Sequence, residues 1–351
     1  MSDLRHTTTT EKQALPERKP GSNSPSVFAA ADPLRVGVLN NPRSGGKRKG
    51  LGAVRKVLAA YPQVSHREVL TPADVASALV DFARKEVNVV VLNGGDGTIQ
   101  AALTVLFHRR PFETLPLLAV LRAGTTSMTA RDVGLQGSQE KGLRRLLTWA
   151  RTREGSPAIL QRRVLRLQTA PDKEPLYGMF FGAAGIYQGI RFCRDRLITS
   201  GMRGEIGPGL SIAFLLLSIV KGSVGYVEPV PISIGLDGNP PEERDVLGVL
   251  VSTLERLFVG IRPYWGTKTG PLHYTAISAR PQHLIRALPS ILRGRRGRYG
   301  TEENGYFSQN VEEVQLTFDS GYTIDGELFT SDIEPGPLVV RDGGQALFVR
   351  L

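Results

Sequence analysis

Three separated clusters in this chain have the residue types and spacing to handle phosphate. In Gly94-Gly95-Asp96-Gly97-Thr98, three glycines fall within four positions after the apolar run Val87 to Leu92. A helical pattern then opens at Thr98 (Ile99, Ala102, Leu103, Leu106). A strand, a glycine loop and a helix start in that order aim bare backbone N–H groups at one spot, an anion site suited to phosphates. The glycines let a phosphate chain approach the backbone without meeting a β-carbon. Asp96 in such a loop repels phosphate unless a divalent cation or a water stands between, so it points to metal-assisted phosphoryl chemistry. The plainer alternative is a tight turn with Asp96 as helix cap. A second loop, Asn40-Asn41-Pro42-Arg43-Ser44-Gly45-Gly46-Lys47, follows Val36 to Leu39 and precedes another helical pattern (Leu51, Val54, Val57, Leu58). Near the C-terminus, Asp325-Gly326-Glu327 sets two carboxylates two residues apart. On a strand that spacing puts both on one face, where they can furnish a general base.

These clusters need a scaffold, and the hydrophobic pattern supplies one. Strands are expected at Arg35–Leu39, Arg67–Leu70, Val87–Leu92 and Leu117–Leu121, and helices at Lys49–Ala60 and Thr98–Phe107. A further helix runs from Pro72 to about Arg84 with Thr71 as its N-cap. Strands separated by ten-residue helices imply an open parallel sheet that binds ligands at the carboxyl ends of its strands. Loops 41–46, 94–98 and 123–127 all follow strands and therefore share that edge. After about Arg153 short β-rich runs separated by Gly/Pro turns take over: Arg163–Thr169, Leu176–Gly182, Val224–Ile234, Val246–Thr253, Val311–Phe318, Leu338–Val340 and Ala346–Val349. They indicate an antiparallel β-sandwich, interrupted by an apolar helix near 210–220 and a basic one near 284–293. The fold class is thus α/β plus β: a tail at 1–33, an open parallel α/β nucleotide-binding domain at 34–153, and a mainly antiparallel β-sandwich domain at 154–351.

A chain of 351 residues, 41% of them hydrophobic, fits two soluble domains. The apolar segment Leu210 to Val220 is too short to span a bilayer, which takes about 20 residues. The one cysteine, Cys193, excludes an intramolecular disulfide and fits a reducing compartment. Met1 to Pro33 is polar, lacks the apolar core of a secretory signal and reads as disordered. The expected location is cytoplasmic, peripheral at the inner membrane face. The net charge of +11 is uneven: residues 139–166 carry eight basic and two acidic side chains, and residues 281–300 five basic and none acidic. The latter stretch joins an amphipathic helical pattern (Leu284, Ile285, Leu288, Ile291, Leu292) to Arg293, Arg295, Arg296 and Arg298. That combination suits an anionic membrane surface; the alternative is a core-facing helix followed by a solvated basic loop. Nucleic acid is not expected, because no zinc-finger spacing, stacking motif or helix-turn-helix signal accompanies the charge. An unpaired sandwich edge would allow a homodimer.

In order and wide separation, Asn-Pro-x-Ser-Gly, Gly-Gly-Asp-Gly-Thr and Asp-Gly-Glu resemble the diacylglycerol-kinase catalytic-domain family, over about residues 34–351. That family includes the sphingosine, ceramide and small bacterial lipid kinases. The resemblance implies an ATP-dependent lipid kinase using Mg2+, which phosphorylates a hydroxyl of a membrane lipid or long-chain alcohol of the diacylglycerol or sphingosine kind. It implies nucleotide contacts from Asn41, Pro42, Arg43, Ser44 and Gly45, from Thr71, from Gly94, Gly95, Asp96, Gly97, Thr98, Ile99 and Gln100, and from Gly124 and Thr125. It also implies that Asp325 and Glu327 lie beside the acceptor hydroxyl as proton acceptors. Asp96 then lies near magnesium, reached through a water. The active site falls in the cleft between the two domains, and the last strand, about 335–351, returns to the first domain. Two stretches depart from the family pattern. Thr126-Ser127-Met128-Thr129-Ala130-Arg131 replaces Ala-Asn-Asp-Phe-Ala-Arg, so Met128 offers the acceptor an apolar surface where the family has polar contacts. Pro271 to Ser278 lacks the carboxylates of the acidic segment that holds a structural magnesium, so that second ion is not expected. Two other readings compete. NAD kinases share Gly-Gly-Asp-Gly-Thr, but their Thr-Pro-Thr-Gly-Ser-Thr-Ala-Tyr segment is missing here. A catalytically silent lipid-binding regulatory protein is disfavoured by the joint retention of Asp96, Asp325 and Glu327.

Overall fold

Two strands buried at every position, β1 (Val36–Asn40) and β3 (Val89–Asn93), form the centre of a parallel sheet. Their unbroken apolar runs are what strands covered on both faces require. With β2 (Ser65–Glu68) and β4 (Leu117–Val120) they make the order β2-β1-β3-β4, every pair parallel. The computed structural model describes residues 33–44, 48–122, 127–199, 227–257, 260–330 and 336–351. Helices α1 (Arg48–Ala59), α2 (Pro72–Arg84) and α3 (Asp96–Thr104) make the crossovers, and α3 runs on into a π-helical turn, Val105–Arg109. Leu79, Phe82, Ile99 and Leu103 from α2 and α3 share one core with Leu39, Val90 and Leu92 of the sheet. The shorter α4 (Met128–Val133) and then α5 (Gln139–Thr152) follow β4.

Thr71 caps α2 through a reciprocal box with Asp74, as the sequence indicates. Strand β2 ends two residues earlier than expected. The Asp74 carboxylate also takes the Leu70 N–H at 2.9 Å, drawing that residue into the cap and leaving its side chain 47% exposed.

The rest of the chain is antiparallel and β-rich: β5 (Ala158–Gln168), β6 (Leu176–Gly178), β7 (Phe180–Ala184), β8 (Val230–Leu236), β9 (Glu242–Ser252), β10 (Leu272–Ser278), β11 (Tyr306–Val311), β12 (Glu313–Thr317), β13 (Gly321–Ile324), β14 (Glu327–Thr330) and β15 (Leu338–Arg350). Helix α6 (Gly185–Thr199) follows β7, and α7 (Leu284–Ile291) lies between β10 and β11. The path β14-β13-β7-β9-β8-β12-β15 continues into β4 and the parallel sheet. Alternate residues, among them Phe181 and Ala183, Val249 and Val251, Val314 and Leu316, meet in one second core. Period-2 patterning thus buries one face of the antiparallel strands.

Strand β15 joins the two regions. Leu338 to Arg341 pair antiparallel with β12, while Phe348 lies in parallel register with Leu118 of β4. The register against β5 breaks between Asp342 and Gln345, where Gly344 adopts φ 116°. The two runs expected at 338–340 and 346–349 are therefore one strand with a glycine bulge. Leu34–Leu351 forms one compact unit. The tail up to residue 32 and the apolar stretch 210–220 lie outside the described residues. Among the described residues no helix is long and apolar enough to cross a membrane.

Candidate active site

The Asp-Gly-Glu motif is a hairpin turn. Ile324 pairs with Glu327, and both residues between them have positive φ, 48° for Asp325 and 85° for Gly326. This is the signature of the tight hairpin for which Asp-Gly is favoured. The expectation that both carboxylates share one strand face is corrected accordingly: Asp325 sits in the turn and Glu327 opens the next strand. Their environments differ sharply. Asp325 is 2% exposed and accepts backbone N–H groups from Phe180 at 2.9 Å and Met179 at 3.1 Å. Its own N–H donates to the Phe180 carbonyl at 2.8 Å. Burial, and next the nearby Asp96 carboxylate, push its carboxyl well above the usual range, against the pull of those amides. Glu327 is 45% exposed in its side chain, and Arg194 of α6 reaches it at 3.3 Å.

Glycines admit both carboxylates. A β-carbon on Gly97 would collide with Glu327 Oε1 and lie 3.0 Å from its carboxyl carbon, and one on Gly178 would lie 2.6 Å from Asp325 Oδ2. The hairpin therefore closes onto the phosphate-type loop, Glu327 against Gly97 and Asp325 near Asp96.

Asp96 is the first residue of α3, behind Gly95 as N-cap, and is itself buried. Its carboxylate serves a different helix. Oδ1 accepts the Ser127 hydroxyl at 2.7 Å and the Thr129 N–H at 3.3 Å, and Oδ2 accepts the Met128 N–H at 3.1 Å. The α4 N-terminus thus receives a negative charge where its dipole favours one. Desolvation still prevails and pushes Asp96 up to about 6. The sequence reading aimed this charge at a metal or a water; here α4 takes it. Ser127 stands where the family has Asn and caps α4 by accepting the Ala130 N–H at 3.1 Å. Met128 does not offer the acceptor an apolar surface: it is fully enclosed in the first core, because the first turn of α4 points it inward.

The two N-terminal loops are laced together. Asn41 Nδ2 donates to Thr98 Oγ1 at 2.9 Å, and Ser44 Oγ accepts the Gly95 N–H at 2.8 Å. The Arg43 N–H donates to Asn41 Oδ1 at 2.9 Å, which curls Pro42 and Arg43 back over the β1 end. A β-carbon on Gly94 would stand 2.5 Å from Thr98 Cβ, so this position also requires glycine. Ile99 and Gln100 turn away from the loop. Ile99 is wholly buried in the core, and the Gln100 amide donates to Thr104 Oγ1 at 3.1 Å. Thr71 is exposed, with its hydroxyl in the α2 cap. Gly45, Gly124 and Thr125 lie outside the described residues.

Sequence reasoning passes over Arg194 and Gly178 and names Ser127 only as a departure from the family pattern. Only Ser127 carried a local signal, a capping residue one step before a helix.

The cradle fits a nucleotide triphosphate. Asp96 and Gly97 open α3, where a helix leaves its N–H groups without intrahelical acceptors, while the Thr98 N–H is taken by the Gly95 carbonyl at 3.0 Å. For magnesium the donor set is sparse. Among the described residues no three His, Cys, Asp or Glu side chains gather to hold an ion, and the oxygens of Asp96 and Asp325 already accept N–H and O–H groups. An ion accompanying the nucleotide would take most of its ligands from phosphate and water, with Glu327 the carboxylate open to it.

A parallel sheet with a glycine cradle at its carboxyl edge, met by a carboxylate hairpin from an antiparallel region, is a scaffold suited to phosphoryl transfer. Residues 35–154 match the family model of the diacylglycerol kinase catalytic domain, a stretch that holds the Asn-Pro-x-Ser-Gly and Gly-Gly-Asp-Gly-Thr motifs. Solved structures share the fold. A provisionally assigned diacylglycerol kinase from Bacillus anthracis str. Sterne is 19% identical, covering 90% of this chain and 96% of its own, with a TM-score of 0.61. A second structure so described gives 19%, 90% and 97%, with a TM-score of 0.60. A third, of a diacylglycerol kinase from the same organism, is 17% identical with a TM-score of 0.55. No curated protein matches the chain.

Proposed function

We propose that this protein is an ATP- and magnesium-dependent kinase that phosphorylates a hydroxyl of a membrane lipid or long-chain alcohol. The observation that carries the reading is the contact of Glu327 with Gly97, which brings an accessible carboxylate against a phosphate-type loop. In this reading the nucleotide phosphates lie along Asn41–Ser44 and Gly94–Thr98, and the acceptor hydroxyl approaches Glu327. As the oxygen–phosphorus bond forms and the bond to the ADP oxygen breaks, the hydroxyl proton passes to Glu327. Asp325, sealed beneath the turn, fixes the hairpin that presents Glu327. Asp96 fixes α4 beside the same edge. Bound magnesium would neutralise charge on the phosphates. The family match over 35–154 and the Asp-Gly-Glu ending support a lipid acceptor. ATP as donor places the reaction on the cytoplasmic side, with the enzyme peripheral to the membrane.

The test is transfer from [γ-32P]ATP with magnesium to a total lipid extract, with NAD as a parallel acceptor. Label is expected in the organic phase. Label in NAD instead, or in neither acceptor with folded protein, would overturn the proposal.

A further inference from the structure

The two basic stretches that the sequence singles out are not equivalent in three dimensions. In the first, three arginines are spent on carboxylates: Arg144 on Glu140, Arg162 on Asp132 and Arg163 on Asp342. In the second, Arg286, Arg293, Arg295, Arg296 and Arg298 are all exposed. Among the described residues none of these five forms an ion pair within 4 Å with a carboxylate. Arg296 acts weakly on Glu303, whose carboxyl is held low chiefly by the Thr301 hydroxyl.

Helix α7 divides its apolar residues between two environments. Ala287, Leu288 and Ile291 are buried, and Ala287 and Ile291 join Tyr306 in a small third core that Leu284, Trp265 and Tyr299 border. Ile285 points the other way and is 62% exposed, the most exposed large hydrophobic side chain among the described residues. Pro289 follows it at i+4 and is exposed as well. An isoleucine held in water on a helix that leads into arginines without carboxylate partners gains nothing from solvent. Each feature is favourable where charge meets hydrocarbon.

We infer that the outer face of α7 and the Arg293–Arg298 turn form a docking surface for an anionic lipid bilayer, with Ile285 as the apolar anchor and the arginines at the headgroups. A nucleic acid would satisfy the arginines but leave the isoleucine in water, so the lipid surface is the better complement. The surface also packs against residues of the core that borders the candidate site. The Leu292 carbonyl accepts the Arg262 N–H at 2.9 Å, and a β-carbon on Gly294 would meet the carbonyls of Arg262 and Tyr264, each at 2.9 Å. Tyr264 is buried in the core that holds Met128 and Ala130 of α4, the helix Asp96 grips. The inference stands on charge and exposure and does not require the lipid-kinase reading.

The experiment is co-sedimentation of the full chain with vesicles of phosphatidylglycerol and phosphatidylcholine (1:1) or of phosphatidylcholine alone, at low and high salt. Wild type is expected to partition onto the anionic vesicles at low salt and to leave them at high salt. Replacing Arg293, Arg295, Arg296 and Arg298 by Gln should weaken that partitioning at least tenfold. Ile285→Ser should weaken it severalfold at unchanged charge, while a control Arg144→Gln, Arg145→Gln protein keeps wild-type binding. Thermal melts establish that the variants are folded. Equal sedimentation of wild type and the four-arginine variant overturns the surface. Loss with the arginines but not with Ile285→Ser overturns the anchor and leaves an ordinary polyanion patch. Because no turnover is measured, failure here is distinct from failure of the kinase assay.

Discussion

Glu327 occupies the space that a side chain on Gly97 would need, its carboxyl carbon 3.0 Å from where that β-carbon would stand. Two motifs about 230 residues apart in the chain are thereby reduced to one contact. Gly97 lies in the first turn of α3, where alanine is the better helix former by about 1 kcal/mol. Gly97→Ala should therefore melt at or slightly above the wild-type temperature while kcat falls at least tenfold, about 1.4 kcal/mol in the barrier. Unchanged turnover in this variant would detach Glu327 from the phosphate loop.

Asp325 and Glu327 should both act on turnover rather than on nucleotide binding. Glu327→Gln should lower kcat at least a hundredfold, in the range of a lost general base, with the KM for ATP within threefold of wild type. Asp325→Asn keeps a residue that tolerates the left-handed turn and should also lower kcat more than it raises that KM. Steady-state kinetics on the two variants decide it. A defect confined to ATP binding would reject the acceptor-side assignment.

For Asp96 the expected signature is in pH as well as rate. Its carboxyl is pushed up to about 6 from its ordinary value of 3.8, so the folded state holds the proton more tightly than the unfolded one. The stability this contributes is complete below pH about 4 and is lost as pH rises through about 6, at most about 3 kcal/mol. The melting-temperature advantage of wild type over Asp96→Asn should thus shrink between pH 4 and pH 7. Asn also sets an amide N–H against the N–H groups of α4, so kcat should fall at least a hundredfold in a folded protein. A gap that widens with pH would count against the dominance of desolvation at Asp96, and wild-type turnover would count against the α4 grip.

Met128 separates core from substrate contact. Met128→Ala should cost about 2–5 kcal/mol in chemical denaturation, as for other core truncations. At a temperature where the variant is folded, the KM for the lipid acceptor should stay within twofold. A KM rise without loss of stability would return Met128 to the acceptor pocket.

Much of this molecule is legible in one dimension because the signals are local. Unbroken apolar runs define β1 and β3, Thr71-Pro72 marks the start of α2, and glycine spacing marks the phosphate loop; each follows from torsional freedom, capping or burial within a few residues. The family resemblance is likewise carried by short motifs. The order of strands in the antiparallel region, and the passage of β15 from β12 to β4, have no local signal, since hydrogen-bonding partners far apart in the chain are chosen by which faces can be buried together. The two carboxylates show the same division. The sequence announces Asp325 and Glu327 as a pair, yet a strand and a two-residue turn place them oppositely. Only the positive φ at Asp325 and Gly326, selected by the pairing of β13 with β14, buries one and exposes the other. Asp96 is plain in the glycine loop, but that α4 consumes its charge depends on a helix more than thirty residues away packing against α3. Composition alone cannot tell paired arginines from free ones. That depends on which carboxylates the fold brings within reach, and among the described residues it brings them to Arg144, Arg162 and Arg163 rather than to 293–298.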